Sequence, residues 1–192
     1  MDATTPRLGE IFAVGKLRTA PPDMIVIHES VTLTRVACEA VLRRRGLGVH
    51  AIIDERGQAW LYNDASMVAL AHAGKLNSRS IGVELINPYY PDVAAGDPLW
   101  RDRPVHRERW AHKGRYVVPS PEALECLWQT VAQLCAQHKI PCRVVTTPEP
   151  GILAHAHSPF DTHADGVAPG EYVAARISGM TPAQAYASLQ EG

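Results

Sequence analysis

The chain has 192 residues, 46% hydrophobic and 20% charged, enough for one sizeable core and short for two. Nineteen basic and twenty acidic side chains leave a formal net charge of -1, so no global field draws in nucleic acid or anionic lipid. The opening residues carry no basic stretch followed by an apolar one, and no run of about eighteen apolar residues occurs, so synthesis in the cytoplasm without a signal peptide or membrane insertion is expected.

Residues 1–22 show little periodicity and end at Pro21-Pro22, which reads as an N-terminal arm before a catalytic domain over 23–192. Met24-Ile25-Val26-Ile27 is a continuous apolar run, the pattern of a buried strand, and it delivers His28 and Glu29 at its end. Thr32 or Thr34 then caps a helix to about Arg45, and Gly46 ends it. Leu47 to Ile53 and Gln58 to Tyr62 read as a hairpin around Asp54-Glu55-Arg56-Gly57. A further strand is expected over Ser80 to Ile86. Residues 88–119, rich in Pro, Tyr, Trp and Arg, are longer than structureless connections usually run and read as a functional insertion loop.

Ser120-Pro121-Glu122 opens the clearest helix, with Leu124, Leu127, Trp128, Val131 and Leu134 at helical spacing and an end near His138. Short strands are expected at Arg143 to Val145 and Gly151 to Ala154. Thr181-Pro182-Ala183-Gln184 carries a capping box for a last helix to about Leu189, within a helical tail over 170–192. Strands and helices mix along the chain, which gives an α/β class. Cys38, Cys126, Cys135 and Cys142 form no CxxC pair and read mostly as buried thiols; a Cys135–Cys142 bridge is geometrically conceivable, and a cytoplasmic origin argues against it.

The chemistry concentrates after the last strand. His155, His157, Asp161, His163 and Asp165 fall within one short stretch, a density that points to metal binding. Imidazole and carboxylate suit zinc, and a catalytic zinc needs three protein ligands and an open position. A further ligand must come from elsewhere, and His28 at a strand exit is a good candidate. His157 competes with His155, since both leave an extended segment on one side.

Met24-Ile25-Val26-Ile27-His28, Gly48-Val49-His50-Ala51-Ile52-Ile53-Asp54-Glu55-Arg56-Gly57, His72-Ala73-Gly74, Asn77-Ser78-Arg79-Ser80-Ile81-Gly82-Val83-Glu84 and the stretch from His155 to Asp165 occur in one order. Together they resemble the zinc-dependent N-acetylmuramoyl-L-alanine amidases that share a fold with peptidoglycan recognition proteins. The resemblance covers roughly Asp23 to Gly170. It implies a single domain with a mixed central β-sheet flanked by helices, and a groove over a Zn2+ ion held by His28, His155 and Asp165. Glu84 matches a catalytic carboxylate, with Glu29 as a rival general base. Many relatives carry lysine where this chain has His163, which then takes the part of oxyanion stabiliser.

His50, His72, Asn77 and Trp110 are the expected substrate-contacting positions, with His50 and His72 read as groove-lining or hydrogen-bonded structural histidines and not as ligands. The aromatic and arginine side chains of 88–119, among them Tyr89, Tyr90 and Trp100, form either a substrate-contacting lid or a flap packed on itself. The implied activity is hydrolysis of the amide between N-acetylmuramic acid and L-alanine in peptidoglycan or muropeptides, as in a phage-type lysis enzyme acting on the cell wall. A cytoplasmic muropeptide-recycling amidase and a binding module that recognises peptidoglycan without cutting it are the alternatives.

Overall fold

The apolar run that opens the core lies in the middle of a seven-stranded sheet. The structure, a computed structural model, describes residues 6–107, 114–160 and 164–190. In chain order the elements begin with β1 (Arg7–Leu8), β2 (Lys16–Leu17), β3 (Met24–Ser30), α1 (Arg35–Arg44), β4 (Ala51–Ile53), β5 (Ala59–Leu61) and β6 (Val68–Ala69). A 3-10 turn (Gly74–Leu76) leads to β7 (Ser80–Ile86), α2 (Pro91–Ala94), β8 (Val105–Arg107) and β9 (Arg115–Val117). Then follow α3 (Pro121–His138), β10 (Val144–Val145), β11 (Gly151–Ala154), a second 3-10 turn (His155–His157), α4 (Val167–Ile177) and α5 (Pro182–Ser188).

The main sheet runs β1-β5-β4-β7-β3-β11-β10, with β4, β7, β3, β11 and β10 parallel and only the β4–β5 hairpin antiparallel. Every residue of β3 and β7 is buried, as expected of central parallel strands covered on both faces. Alternation divides their side chains between two layers. Ile25, Ile27, Ile81, Val83 and Leu85 pack with Leu124, Leu127 and Val131 of α3 and with Tyr172 and Val173 of α4. On the other face Met24 and Val26 meet Ala73 and Leu76, while Ile52 and Ile86 meet Phe12, Cys38 and Trp100. Each such fully buried aliphatic side chain contributes roughly 1.5–3 kcal/mol.

Local chemistry explains the boundaries. Thr34 caps α1 through the Ala37 N–H, and Ser120 caps α3 through the Ala123 N–H with Pro121 at its first position. α3 ends where Lys139 turns left-handed at φ 57°. Asp54 shapes the β4–β5 turn: its Oδ1 accepts from the Arg56 and Gln58 N–H groups and its Oδ2 from the Trp60 indole at 2.8 Å.

Three segments differ from the sequence-based reading. The described part of residues 1–22 lies against the domain: β1 pairs with β5, β2 with β6, and Phe12 is buried against Tyr62. Residues 88–119 are not structureless in their described parts. They contain α2 and the β8–β9 hairpin, and they send Trp100 and Tyr116 into the interior, where the Trp100 indole donates to the Leu33 carbonyl. Trp100 therefore packs the core and forms no groove wall. Lastly, α4 starts before the expected tail, with Pro169 and Gly170 in its first turns. All four cysteines are free; Cys38 and Cys135 are buried and Cys142 is exposed. Among the described residues no helix is long and apolar enough to cross a membrane.

Candidate metal centre

Parallel register gathers the site. On adjacent strands His28 of β3 stands opposite Glu84 of β7, and Ala154, the last residue of β11, stands opposite Ile27. His155 follows directly, so three polar side chains reach the same level at the C-terminal ends of three neighbouring strands. Asp165 completes the group from the turn before α4. Gly166 makes that turn possible at φ 85°, where a Cβ would lie 2.3 Å from the Ile27 carbonyl oxygen.

His28, His155 and Asp165 are each buried, and each offers a ligand atom within 4.8 Å of the others. His155 Nδ1 lies 3.0 Å from Asp165 Oδ1, and His28 Nδ1 lies 3.4 Å from Asp165 Oδ2. Burial alone would raise the Asp165 carboxyl, but the adjoining His155 and His28 imidazoles hold it well below the usual range. A buried, ionised carboxylate beside two imidazoles fits a divalent cation. His157, in contrast, is exposed and outside the cluster.

The cluster opens on a cavity of about 600 Å3. Glu84, Glu29, His72, Tyr89 and Tyr90 line it, together with Cys38, Val41, Leu42 and Arg45 from α1 and its C-terminus. Burial, reinforced by the charges on Asp165 and Glu29, pushes the Glu84 carboxyl well above its usual range, and no hydrogen bond among the described residues relieves it. A carboxyl with this environment at the edge of a cavity suits proton transfer.

Glu29 plays a different part from the one its place beside His28 suggests. Its Oε1 accepts from Asn87 Nδ2 at 3.0 Å and from the Tyr116 hydroxyl, and its Oε2 accepts from the Gly166 N–H at 3.0 Å. Burial raises its carboxyl to about 7 against these hydrogen bonds. With these donors engaged, Glu29 braces the Asp165-Gly166 turn, whereas Glu84 keeps no such partners among the described residues. Strand alternation carries the signal for this, because adjacent residues of β3 must face opposite layers.

The motif histidines also find definite places. His50 is buried, its Nε2–H donating to the Val68 carbonyl at 2.9 Å and its Nδ1 accepting from the Gly82 N–H at 3.0 Å. Both ring nitrogens are thus taken by backbone, which corrects the expected substrate contact. Asn77 Oδ1 accepts from the His72 and Ala73 N–H groups at 2.9 and 2.6 Å, so this oxygen folds the chain and is not directed at a ligand. His72 borders the cavity and contacts His28. Desolvation, with His28 and His50 nearby, keeps its imidazole well below the usual range. His163 and Trp110 lie outside the described residues.

Fold and site together define a class: an α/β domain with a buried His-His-Asp cluster facing a cavity, donor chemistry that could hold a divalent cation. The chain belongs to the N-acetylmuramoyl-L-alanine amidase family, whose description matches residues 18–171. No curated protein matches the sequence. Several solved structures share the fold. The N-acetylmuramoyl-L-alanine amidase LysC from Clostridium intestinale has a TM-score of 0.57 at 16% identity, with 91% of this chain and 99% of that one covered. The hydrolase AmiA from Staphylococcus aureus has a TM-score of 0.61 at 14% identity, covering 100% and 84%. Drosophila PGRP-LB has a TM-score of 0.54 at 18% identity, covering 93% and 96%.

Proposed function

We propose that the chain is a zinc-dependent amidase that hydrolyses the amide between the muramic acid lactyl group and L-alanine in bacterial peptidoglycan. The observation that carries this reading is the buried His28, His155 and Asp165 cluster with Glu84 in register on the next strand, at the edge of a cavity. Membership of the amidase family supports the choice of bond. The fold relative LysC is an N-acetylmuramoyl-L-alanine amidase, which agrees with it, and other fold relatives that are endolysins favour a lysis role.

His28, His155 and Asp165 would hold the ion, which when bound supplies a Lewis acid for the scissile carbonyl and acidifies water towards a pKa of about 7. Glu84 accepts the proton of the attacking water and returns it to the departing alanine nitrogen. Its raised affinity for protons in the metal-free protein is offset by a nearby cation, which favours the carboxylate needed at the start. His163 donates to the developing oxyanion. The exchange forms one C–O bond and breaks one C–N bond, and needs no covalent link to the protein.

The test is to load metal-free protein with zinc, offer intact sacculi and soluble muropeptides side by side, and identify the products by mass. Free stem peptides beginning with L-alanine, lost on chelation and restored by zinc, are expected. Zinc-loaded protein that binds sacculi and releases nothing would make the chain a recognition module instead.

A further inference from the structure

We propose that His72 is a positioning residue that fixes the tautomer and ring orientation of His28, so that Nδ1 of His28 is presented to the metal position. The inference rests on the zinc reading above. Its basis is a chain of hydrogen bonds whose directions follow from its far end. The Ser80 hydroxyl has one proton, and it donates to the Leu76 carbonyl at 2.8 Å, a group that can only accept. Ser80 Oγ therefore acts as acceptor towards His72 Nε2, 3.1 Å away, which places the His72 proton on Nε2. Nδ1 of His72 is then a bare acceptor, 3.0 Å from His28 Nε2, and His28 must donate from that nitrogen. The nitrogen of His28 left without a proton is Nδ1, the one that faces Asp165.

The strand beneath is shaped for this arrangement. The His72 ring sits against Gly82 so closely that a Cβ there would lie 2.8 Å from its Cγ and Nδ1. Asn77 Oδ1 ties down the His72 and Ala73 N–H groups, so the backbone carrying the ring is held as well. The two rings meet edge-on, with centroids 5.2 Å apart. His72, Asn77, Ser80 and Gly82 thus act as one support for a single ligand nitrogen. Outer partners of this kind typically change metal affinity about 10- to 100-fold when removed.

The experiment compares zinc affinity, by competition with a chromogenic chelator, in full-length wild-type protein, His72→Phe, His72→Asn and Ser80→Ala. His72→Phe keeps a ring and removes the acceptor, whereas Asn returns an oxygen near the position of Nδ1. We expect about 10- to 100-fold weaker zinc binding in His72→Phe, recovery to within a few-fold in His72→Asn, and an intermediate loss in Ser80→Ala. Nitrogen-15 NMR of the zinc-loaded wild type supplies a readout that needs no variant: protons on Nε2 of both His28 and His72 are expected. A proton on Nδ1 of His28, or unchanged zinc affinity in His72→Phe, overturns the role of His72 alone. Wild-type protein that takes up no zinc overturns the metal reading itself.

Discussion

Acidification tests the assignment of His50 as an internal brace. Burial lowers its imidazole from 6.5 to about 4, and protonation would set a second N–H against the Gly82 N–H that Nδ1 now accepts. In the unfolded chain the same histidine takes up a proton near 6.5, so between these values the unfolded state binds more protons. Stability contributed by the neutral ring is therefore complete above 6.5 and is lost as pH falls towards 4. Between about pH 7.5 and about pH 4.5 this one group removes about 2.5 kcal/mol, since each pH unit crossed while only the unfolded chain is protonated costs about 1.36 kcal/mol. The assay is urea unfolding at both pH values with chelator present, for wild type and His50→Asn. The variant is less stable throughout, but wild type should lose about 2.5 kcal/mol more between the two pH values, because other acid-sensitive groups cancel in the comparison. Parallel losses in the two proteins would refute the neutral, enclosed His50.

Three further outcomes are expected. Glu84→Gln should bind zinc with affinity close to wild type while kcat falls by about a hundredfold or more, measured as amide cleavage beside a chelator competition. His163→Ala should likewise keep zinc and lose turnover by about a hundred- to a thousandfold, and loss of metal would move His163 among the ligands. Asp54→Ala removes the acceptor for two backbone N–H groups and the Trp60 indole, and should cost about 1–3 kcal/mol in urea unfolding with zinc affinity unchanged.

What the amino-acid sequence makes legible depends on how locally each feature is encoded. β3, β7 and β11 are written as apolar runs, and α3 announces itself through Ser120, Pro121 and a stripe of leucines. β1 and β2 are two-residue strands with exposed side chains, held by backbone pairing that leaves no pattern. α4 is obscured by Pro169 and Gly170, although Ala168, Tyr172 and Val173 mark its buried side. The candidate ligands His155 and Asp165 stand out because three histidines and two aspartates crowd one segment. Their supports do not, since Tyr116 reaches Glu29 from 87 positions away and His72 reaches His28 from 44. No spacing rule covers such distances, and only the folded chain brings those partners together.

His28 and Glu29 are consecutive, yet one joins the His-His-Asp cluster and the other holds the turn before α4. Deleting a residue of β3 ahead of His28 would carry Glu29 into the His-His-Asp cluster, and inserting one there would carry the His28 imidazole against Tyr116 and Asn87. Length variation in this protein is therefore tolerable in the connections and ruinous in β3, where catalytic geometry and core integrity share one reading frame.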